Sequence, residues 1–373
     1  MSTRHLLAIN FRDPAHPEAG GAELHLEQVL LDAVRRGWRV TWLAGGFPGG
    51  AREGEHKGMR VLRRGAWWNF NFVVPAVLRR EFAGPGAPDL IVEDVNKVPC
   101  LTPWFTRVPV AVIVPHLFGS TVFREANPFV ATYVLALESL LPAAYARCRF
   151  VVISDSTRDD VVARGIARDR VAVVECGLDH ARYRTDPAVG KAERPTLTFV
   201  GRLRRYKGLD WVLRALPAVL ARVPAVRLEV IGDGPYGGAL RDQVRRHGLS
   251  NVVEFLGFLP LPEKVKHLQS AWAVVQPSPK EGWGLTVVEA SACGTAVVAS
   301  DAPGLRDSVR RDETGLLVPF GDTPGLADAL VRVLTDAPLR QRMAAAGVQW
   351  AGRFRWDDCG RRTIDALTGE PAR

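Results

Sequence analysis

The chain has 373 residues, 47% hydrophobic and 24% charged, and its 49 Lys and Arg against 40 Asp and Glu give a net charge of +9. That length supports two domains with real cores, and that composition excludes an intrinsically disordered chain. A basic balance suits nucleic acid, an anionic membrane surface or a phosphorylated substrate, but the basic residues are scattered rather than striped, which weighs against nucleic acid.

Cys100, Cys148, Cys176, Cys293 and Cys359 are far apart, odd in number and free of any Cys-x-x-Cys pair. Reduced thiols in a cytosolic setting are therefore expected, not a disulfide frame or a zinc knuckle. Met1 to Asn10 lacks the apolar core of a signal peptide. Glu138, Arg147 and Arg149 interrupt the best apolar run, so no segment is expected to reach the ~18 residues of a membrane span. The expected location is cytoplasmic, with peripheral contact at the inner face of the membrane left open.

Arg4 to Asn10 reads as a first strand, and Glu18-Ala19-Gly20-Gly21-Ala22-Glu23 as a glycine turn into a helix. Leu24, Val29, Leu30 and Val34 give that helix an inner face, and Gly37 stops it. The turn either presents backbone N–H groups to a phosphate or is an ordinary turn. Arg39 to Ala44 is the next strand. Trp67-Trp68-Asn69-Phe70-Asn71-Phe72 leads into a helix ending at Arg79-Arg80. Core packing, with Val74, Val77 and Leu78 on the sheet, is the expected reading; contact with a lipid interface is the other.

Strands recur at Met59 to Leu62, Asp89 to Val92, Val110 to Val114 and Phe150 to Ile153, with helical patterns between. This alternation predicts a parallel sheet with helices on both faces, whose ligands meet the loops at strand C-termini. Three polar groups follow these strands: Glu93-Asp94 with Asn96-Lys97, His116, and Ser154 to Thr157. Glu93, Asp94 and Asn96 are candidates for handling an acceptor hydroxyl, or else belong to a solvated loop. His116 is either structural or turned to a ligand. Ser154 to Thr157 reads as a helix N-cap.

Asp186 to Pro195 is polar and unpatterned, which places a linker at 186–194. Thr196 to Val200 starts a second sheet and opens onto Gly201-Arg202-Leu203-Arg204-Arg205-Tyr206-Lys207-Gly208. Arg202 and Lys207 leave the C-terminal end of a strand, where a guanidinium and an ammonium can hold phosphate oxygens or simply be solvated. Val226 to Ile231 precedes Gly232-Asp233-Gly234-Pro235-Tyr236-Gly237, a literal Gly-x-Gly-x-x-Gly. As a dinucleotide fingerprint it is weak, lying on a later strand with Glu254 as the nearest acid. Asn251 to Leu256, Ala271 to Val275, Ala296 to Ala299 and Gly315 to Val318 continue the sheet, two helical patterns follow from Gly325, and Phe354 to Asp358 leads a last helix.

After Gln276-Pro277-Ser278-Pro279, Glu281 falls in a loop at a strand mouth. Gly282 and Gly284 make a tight turn around Trp283, and a helix starts at Leu285. Glu289 lies about a turn inside it, and the N–H groups of Leu285 and Thr286 form an anion site between the two carboxylates. By spacing alone, two glutamates eight apart are as well read as solvated helix charges. The full stretch from Glu281 to Ala290, placed after a strand, resembles the signature of family 4 glycosyltransferases, retaining enzymes of GT-B architecture.

That resemblance implies an α/β fold of two doubly wound Rossmann-like domains facing across a cleft. It places an acceptor-side domain at 1–185, a nucleotide-sugar-binding domain at 195–352, and a segment at 353–373 crossing back to the first domain. Arg202 and Lys207 match the family's pyrophosphate-binding pair after Gly201. Gly20 and Gly21 match its N-domain glycine pair near the donor phosphates, and Gly232 and Gly234 its Gly-Asp-Gly-Pro turn beside the nucleotide. The Gly-x-Asp turn at Gly177 to Asp179 is also similar. Gly282, Trp283, Gly284, Leu285 and Thr286 line the donor, Glu281 holds sugar hydroxyls, Glu289 the ribose, and His116 sits by the sugar. The implied reaction moves a sugar from an NDP-sugar, a UDP-sugar first, to a hydroxyl acceptor, lipid-linked or not, in cell-envelope glycan, polysaccharide or glycolipid synthesis.

No Asp-x-Asp pair occurs in the chain, so no metal or other cofactor is expected. The rival within the fold is transfer to a small secondary metabolite or aminocyclitol. The rivals outside it are an NAD-dependent oxidoreductase using Gly232 to Gly237 and a basic nucleic-acid-binding protein.

Overall fold

Alternating strands and helices fold into two parallel sheets. The computed structural model describes residues 3–124 and 126–369. Its contacts divide the chain into one unit that ends at Gly177 and resumes at Trp356, and a second, Leu178–Arg355.

The first unit holds β1 (His5–Ile9), β2 (Arg39–Gly46), β3 (Glu53–His56), β4 (Met59–Ala66), β5 (Leu90–Asp94), β6 (Val110–Val114), β7 (Arg149–Val152) and β8 (Val171–Val173). Their order is β3-β4-β2-β1-β5-β6-β7-β8, parallel except for the β3–β4 hairpin. The sequence gives no apolar alternation for β3. Its tight turn, Lys57-Gly58 with both φ angles positive, sets the hairpin instead. Alternate residues of β1 serve opposite helix layers. Leu6 and Ala8 pack with Leu26, Val29 and Leu30 of the helix Gly21–Arg35, and with Ile364 and Leu367 of the last helix, Trp356–Thr368. Leu7 and Ile9 pack with Phe70 and Val74 of the helix Phe70–Glu81.

Two expectations about side-chain direction are corrected. Leu24 is 42% exposed, because two residues are ~200° of helix and put it opposite Leu26. Val74, Val77 and Leu78 do face the sheet, but Trp67, Trp68 and Phe72 are about two-thirds exposed, Phe72 lying on the far side of its helix from Phe70 and Val74. The apolar stretch Pro128–Tyr145 is also longer than expected. It is 18 residues at mean hydropathy 1.3 and only one-third buried, enough by length and composition alone for a membrane span. Arg147 and Arg149 lie beyond its end, and Glu138, the one charge within it, is buried.

The second unit holds β9 (Thr196–Val200), β10 (Arg227–Ile231), β11 (Val253–Gly257), β12 (Ala273–Gln276), β13 (Ala296–Ser300) and β14 (Gly315–Val318), all parallel in the order β11-β10-β9-β12-β13-β14. Strand order reverses at β1/β5 in one sheet and at β9/β12 in the other, the places where such sheets open a ligand crevice. All five cysteines are buried free thiols.

The segment read as a linker belongs to the second unit for a physical reason. The Lys191 ammonium donates to the carbonyls of Gln269, Ala271 and Gly294 at 2.9 to 3.0 Å and to Thr295 Oγ1 at 2.8 Å. Gln269 in turn donates to the Arg184 carbonyl at 2.8 Å. One lysine thus ties the segment to two strand starts. Lys191→Met leaves those carbonyls without their donor and is expected to destabilise the second unit by about 2 kcal/mol, or ~4–8 °C in melting temperature. Thermal unfolding checks this; a shift under about 1 °C would show the lysine to be decorative.

Candidate functional site

In the second unit the strand-end loops at the β9/β12 reversal converge on one ion pair. Lys207, in the 3-10 turn Arg205–Lys207 after β9, places its ammonium 2.6 Å from the Glu281 carboxylate in the loop after β12. Gln276, the last residue of β12, donates to the same carboxylate at 3.2 Å. Burial works against charge on both groups. Even so, Lys207 holds Glu281 below the usual carboxylate range, and Glu281 holds Lys207 above the usual ammonium range. The loop after β13 fixes Glu281 from behind, since its backbone N–H donates to the Pro303 carbonyl at 3.0 Å. Gly304 lies so close that a Cβ there would collide with the Glu281 carbonyl. Arg202 is exposed just after β9, near enough for its charge to act on Lys207.

Gly284, in the left-handed region, caps the helix Leu285–Ala292. Leu285 and Thr286 are half-buried in its first turn, where N–H groups have no intrahelical partner. One turn on, the Glu289 carboxylate accepts from Lys264 at 3.0 Å and from the Tyr183 hydroxyl, with the Lys264 ammonium 4.9 Å from the Tyr183 ring centroid. Burial, then the Glu289 charge, drive the Tyr183 phenol above its ordinary range. Nothing local in the sequence marks Tyr183 or Lys264; only the fold brings them to Glu289.

Two expected donor contacts sit differently. Trp283 is buried in an edge-to-face aromatic cluster, its ring 5.1 Å from that of Phe354, which is 5.0 Å from Trp350. Only its backbone remains to face a ligand. Cβ atoms at Gly232 and Gly234 would collide with the carbonyls of Gly201 and Leu203, so these glycines admit a neighbouring protein loop. Leu203 N–H donates to the Asp233 carbonyl at 2.9 Å, continuing the strand pairing there. Glu254, the acid the dinucleotide reading needs, is ion-paired with Arg227.

In the first unit, a buried polar network joins the ends of β1 and β5 to the glycine turn. Asn10 donates to Asp94 at 2.8 Å, and Asn96 donates to Asn10 at 3.0 Å and to Glu23 at 3.4 Å. Glu23 accepts from Gly20 N–H at 2.7 Å, which fixes the start of the helix Gly21–Arg35. Glu93 is separate from this network and is not in a loop. It ends up fully buried in β5, where it accepts from the Cys100 N–H at 2.6 Å, the Thr102 N–H at 3.3 Å and, through both oxygens, the Tyr145 hydroxyl at 2.8 Å. His116 is half-buried two residues beyond β6, with its ring 5.0 Å from that of Phe118. Glu138 steadies that loop, accepting from the N–H groups of Phe118 at 2.7 Å and Gly119 at 3.0 Å. Asn10, Glu23 and Glu138 are further residues that no local pattern singles out.

Burial first, then the charges of Glu23 and Glu93, push the Asp94 carboxyl well above 3.8. A carboxyl whose folded pKa exceeds its unfolded one holds more protons folded than unfolded, so its contribution to stability falls as pH rises from about 3.8. The parent should therefore lose stability relative to Asp94→Asn as pH is raised from about 4, read by thermal unfolding. A difference that stays constant, or that moves in the parent's favour as pH rises, would mean that the folded carboxylate is ionised and paired.

The family profile for glycosyl transferases group 1 matches residues 184–350, and that for glycosyltransferase family 4 matches residues 19–182. A D-inositol 3-phosphate glycosyltransferase of Saccharomonospora viridis is 30% identical, with 95% of this chain and 89% of that protein covered. A GDP-mannose-dependent alpha-(1-6)-phosphatidylinositol monomannoside mannosyltransferase of Mycobacterium tuberculosis is 32% identical, covering 52% of this chain. That match spans about half the length (55%) of the mycobacterial protein. Among solved structures, sucrose-phosphate synthase of Thermosynechococcus elongatus aligns with a TM-score of 0.80 at 22% identity, covering 98% of both chains. HepE of Anabaena in complex with UDP and glucose aligns at 0.75 and 21%, covering 98% of this chain and 100% of that one. At such identity these structures speak to the fold, which is GT-B.

Proposed function

Since the chain belongs to the family 4 glycosyltransferases of the group 1 type, we propose that it is a retaining enzyme moving a sugar from an NDP-sugar to a hydroxyl acceptor in cell-envelope glycan, polysaccharide or glycolipid synthesis. The observation that carries this reading is the ionised Lys207–Glu281 pair beside the first turn of the helix Leu285–Ala292. A cation, a run of N–H donors and a carboxylate in one mouth suit a diphosphate joined to a polyol.

In this reading Arg202 and Lys207 stabilise the charge growing on the departing diphosphate, with the N–H groups of Leu285 and Thr286. Glu281 accepts from donor-sugar hydroxyls, and Glu289, steadied by Lys264 and Tyr183, accepts from the ribose. The family resemblance alone assigns Gly20 and Gly21 to the donor phosphates and His116 to the donor sugar. Asp94 and Asn96 remain acceptor candidates, whereas Glu93, with both oxygens engaged, serves to hold the segment from Cys100 to Thr102. The leaving phosphate takes the acceptor proton, so no enzymic nucleophile is needed. The lack of an Asp-x-Asp pair supports metal-independent transfer, and five scattered free thiols support a cytoplasmic setting.

Acceptor and donor are open to a direct screen. The mycobacterial relative's name supports a lipid-linked acceptor and GDP-mannose. The Saccharomonospora relative's name, over nearly the whole chain, favours a small cyclitol phosphate. Thermal shift with UDP- and GDP-sugars, followed by product analysis with both acceptor kinds, separates them.

Lys207→Ala is expected to lower turnover about 100-fold, on the scale of losing one transition-state donor, and near-normal turnover in the folded variant would refute the leaving-group assignment. Activity should persist after exhaustive EDTA treatment; loss restored only by a divalent cation would contradict the proposed chemistry. Calorimetry with the nucleoside diphosphate separates the two glutamates. Glu289→Gln should weaken binding about 10-fold or more through loss of a charge-assisted acceptor. Glu281→Gln releases Lys207 to the phosphates, so diphosphate binding should hold or tighten while turnover falls. Equal weakening in both variants would show that the roles are misassigned.

A further inference from the structure

The first unit carries an apolar face built from two helices. Trp67 and Trp68, just before the helix Phe70–Glu81, and Phe72 within it are 65%, 66% and 66% exposed. On the helix Pro128–Ser139, Phe129, Val130 and Tyr133 are 89%, 46% and 36% exposed. The two sets meet where the Phe72 ring centroid lies 6.1 Å from that of Tyr133 and the Asn71 amide donates to the Tyr133 hydroxyl. A contiguous patch of this kind marks an interaction surface, whereas scattered apolar residues would not.

Charge is distributed one-sidedly around it. From Pro128 to Tyr145 the single charged residue is Glu138. It is fully buried, bound to the N–H groups of Phe118 and Gly119 and 3.2 Å from Arg164. The outer side of that 18-residue stretch therefore bears no charge. On the other helix, Arg79 is seven residues beyond Phe72, about two turns, and so lies on the same side, with Arg80 beside it; both are exposed. Glu81, the acid on that helix, is held by Arg64 at 2.8 Å.

We propose that this face docks the chain flat on an anionic bilayer, the tryptophans, Phe72 and Phe129 entering the headgroup layer and Arg79 and Arg80 resting on lipid phosphates. Exposed aromatics beside arginines match the two layers of a membrane interface, apolar below and anionic above. A second copy of the chain fits less well. Self-pairing of this face sets arginine toward arginine, and Glu81, the exposed acid beside them, is already paired with Arg64. Spanning is excluded by Glu138, whose bonds to the loop after β6 and to Arg164 fasten the apolar stretch to the folded unit. The inference rests on this surface alone and does not depend on the transfer reaction.

The test is co-sedimentation of the full chain with phosphatidylcholine vesicles with and without phosphatidylglycerol. Binding is expected to anionic vesicles and to fall sharply without phosphatidylglycerol. Trp68→Ser with Phe129→Ser should reduce partitioning about tenfold or more. Arg79→Gln and Arg80→Gln should each reduce it about fivefold. These exposed positions leave the melting temperature nearly unchanged, so lost binding is not lost folding. Failure of the parent to bind anionic vesicles would overturn the proposal, as would binding that survives all four substitutions. A concentration-dependent dimer abolished by the serine substitutions would give the face to a second copy instead and equally overturn it.

Discussion

A carboxylate and an ammonium 2.6 Å apart in the mouth of the second sheet govern the arrangement of everything around them. Each group alone would be strongly disfavoured where it lies. Together they stay ionised, and removing one strands the other. Because Lys207 follows β9 and Glu281 follows β12, the pair locks the two loops that flank the strand-order reversal. The β13 loop closes on the same carboxylate residue through Pro303 and Gly304. Three strand ends thus share one rigid lip, and the helix starting at Leu285 opens beside it. A site of this kind needs little rearrangement before a diphosphate can displace or share the carboxylate on Lys207.

The first sheet organises its own strand-order reversal with neutral amides and one reluctant carboxyl instead of an ion pair. Asn10, Asp94, Asn96 and Glu23 connect β1, β5 and the glycine turn in a chain of hydrogen bonds, leaving Asp94 biased toward its neutral form. Such networks specify geometry more than they add stability, since each buried polar atom must be matched. The Asp94 Oδ1 and Asn96 Oδ1 atoms are buried without a protein hydrogen-bond partner among the described residues, so the network is incompletely matched at this point.

Much of this is legible in the residues themselves. Val110 to Val114, Thr196 to Val200 and Gly315 to Val318 are short, mostly apolar or β-branched runs between turn residues, and each is a strand with those bounds, because strands covered on both faces favour such residues. The edge hairpin at Glu53–His56 was hidden because its residues face water and only the Lys57-Gly58 turn defines it. Phe70 to Phe72 reads as one aromatic cluster, yet helical rotation buries the first and exposes the last. In the site, Lys207 and Glu281 each stand out by position, but their pairing across 74 residues is a property of sheet order. Tyr183, Lys264 and Glu138 act only through distant partners, and a single sequence carries no local trace of that.

In the proposed reaction the Lys207–Glu281 mouth receives the donor diphosphate. A crystal structure of the parent chain with the nucleoside diphosphate that most raises its melting temperature tests it most directly. Phosphate oxygens are expected on the Lys207 ammonium and the Arg202 guanidinium, with the N–H groups of Leu285 and Thr286 donating to them and the ribose on Glu289. Phosphates seated instead against Gly232 to Gly237, with the Lys207–Glu281 pair intact and out of contact, would contradict it.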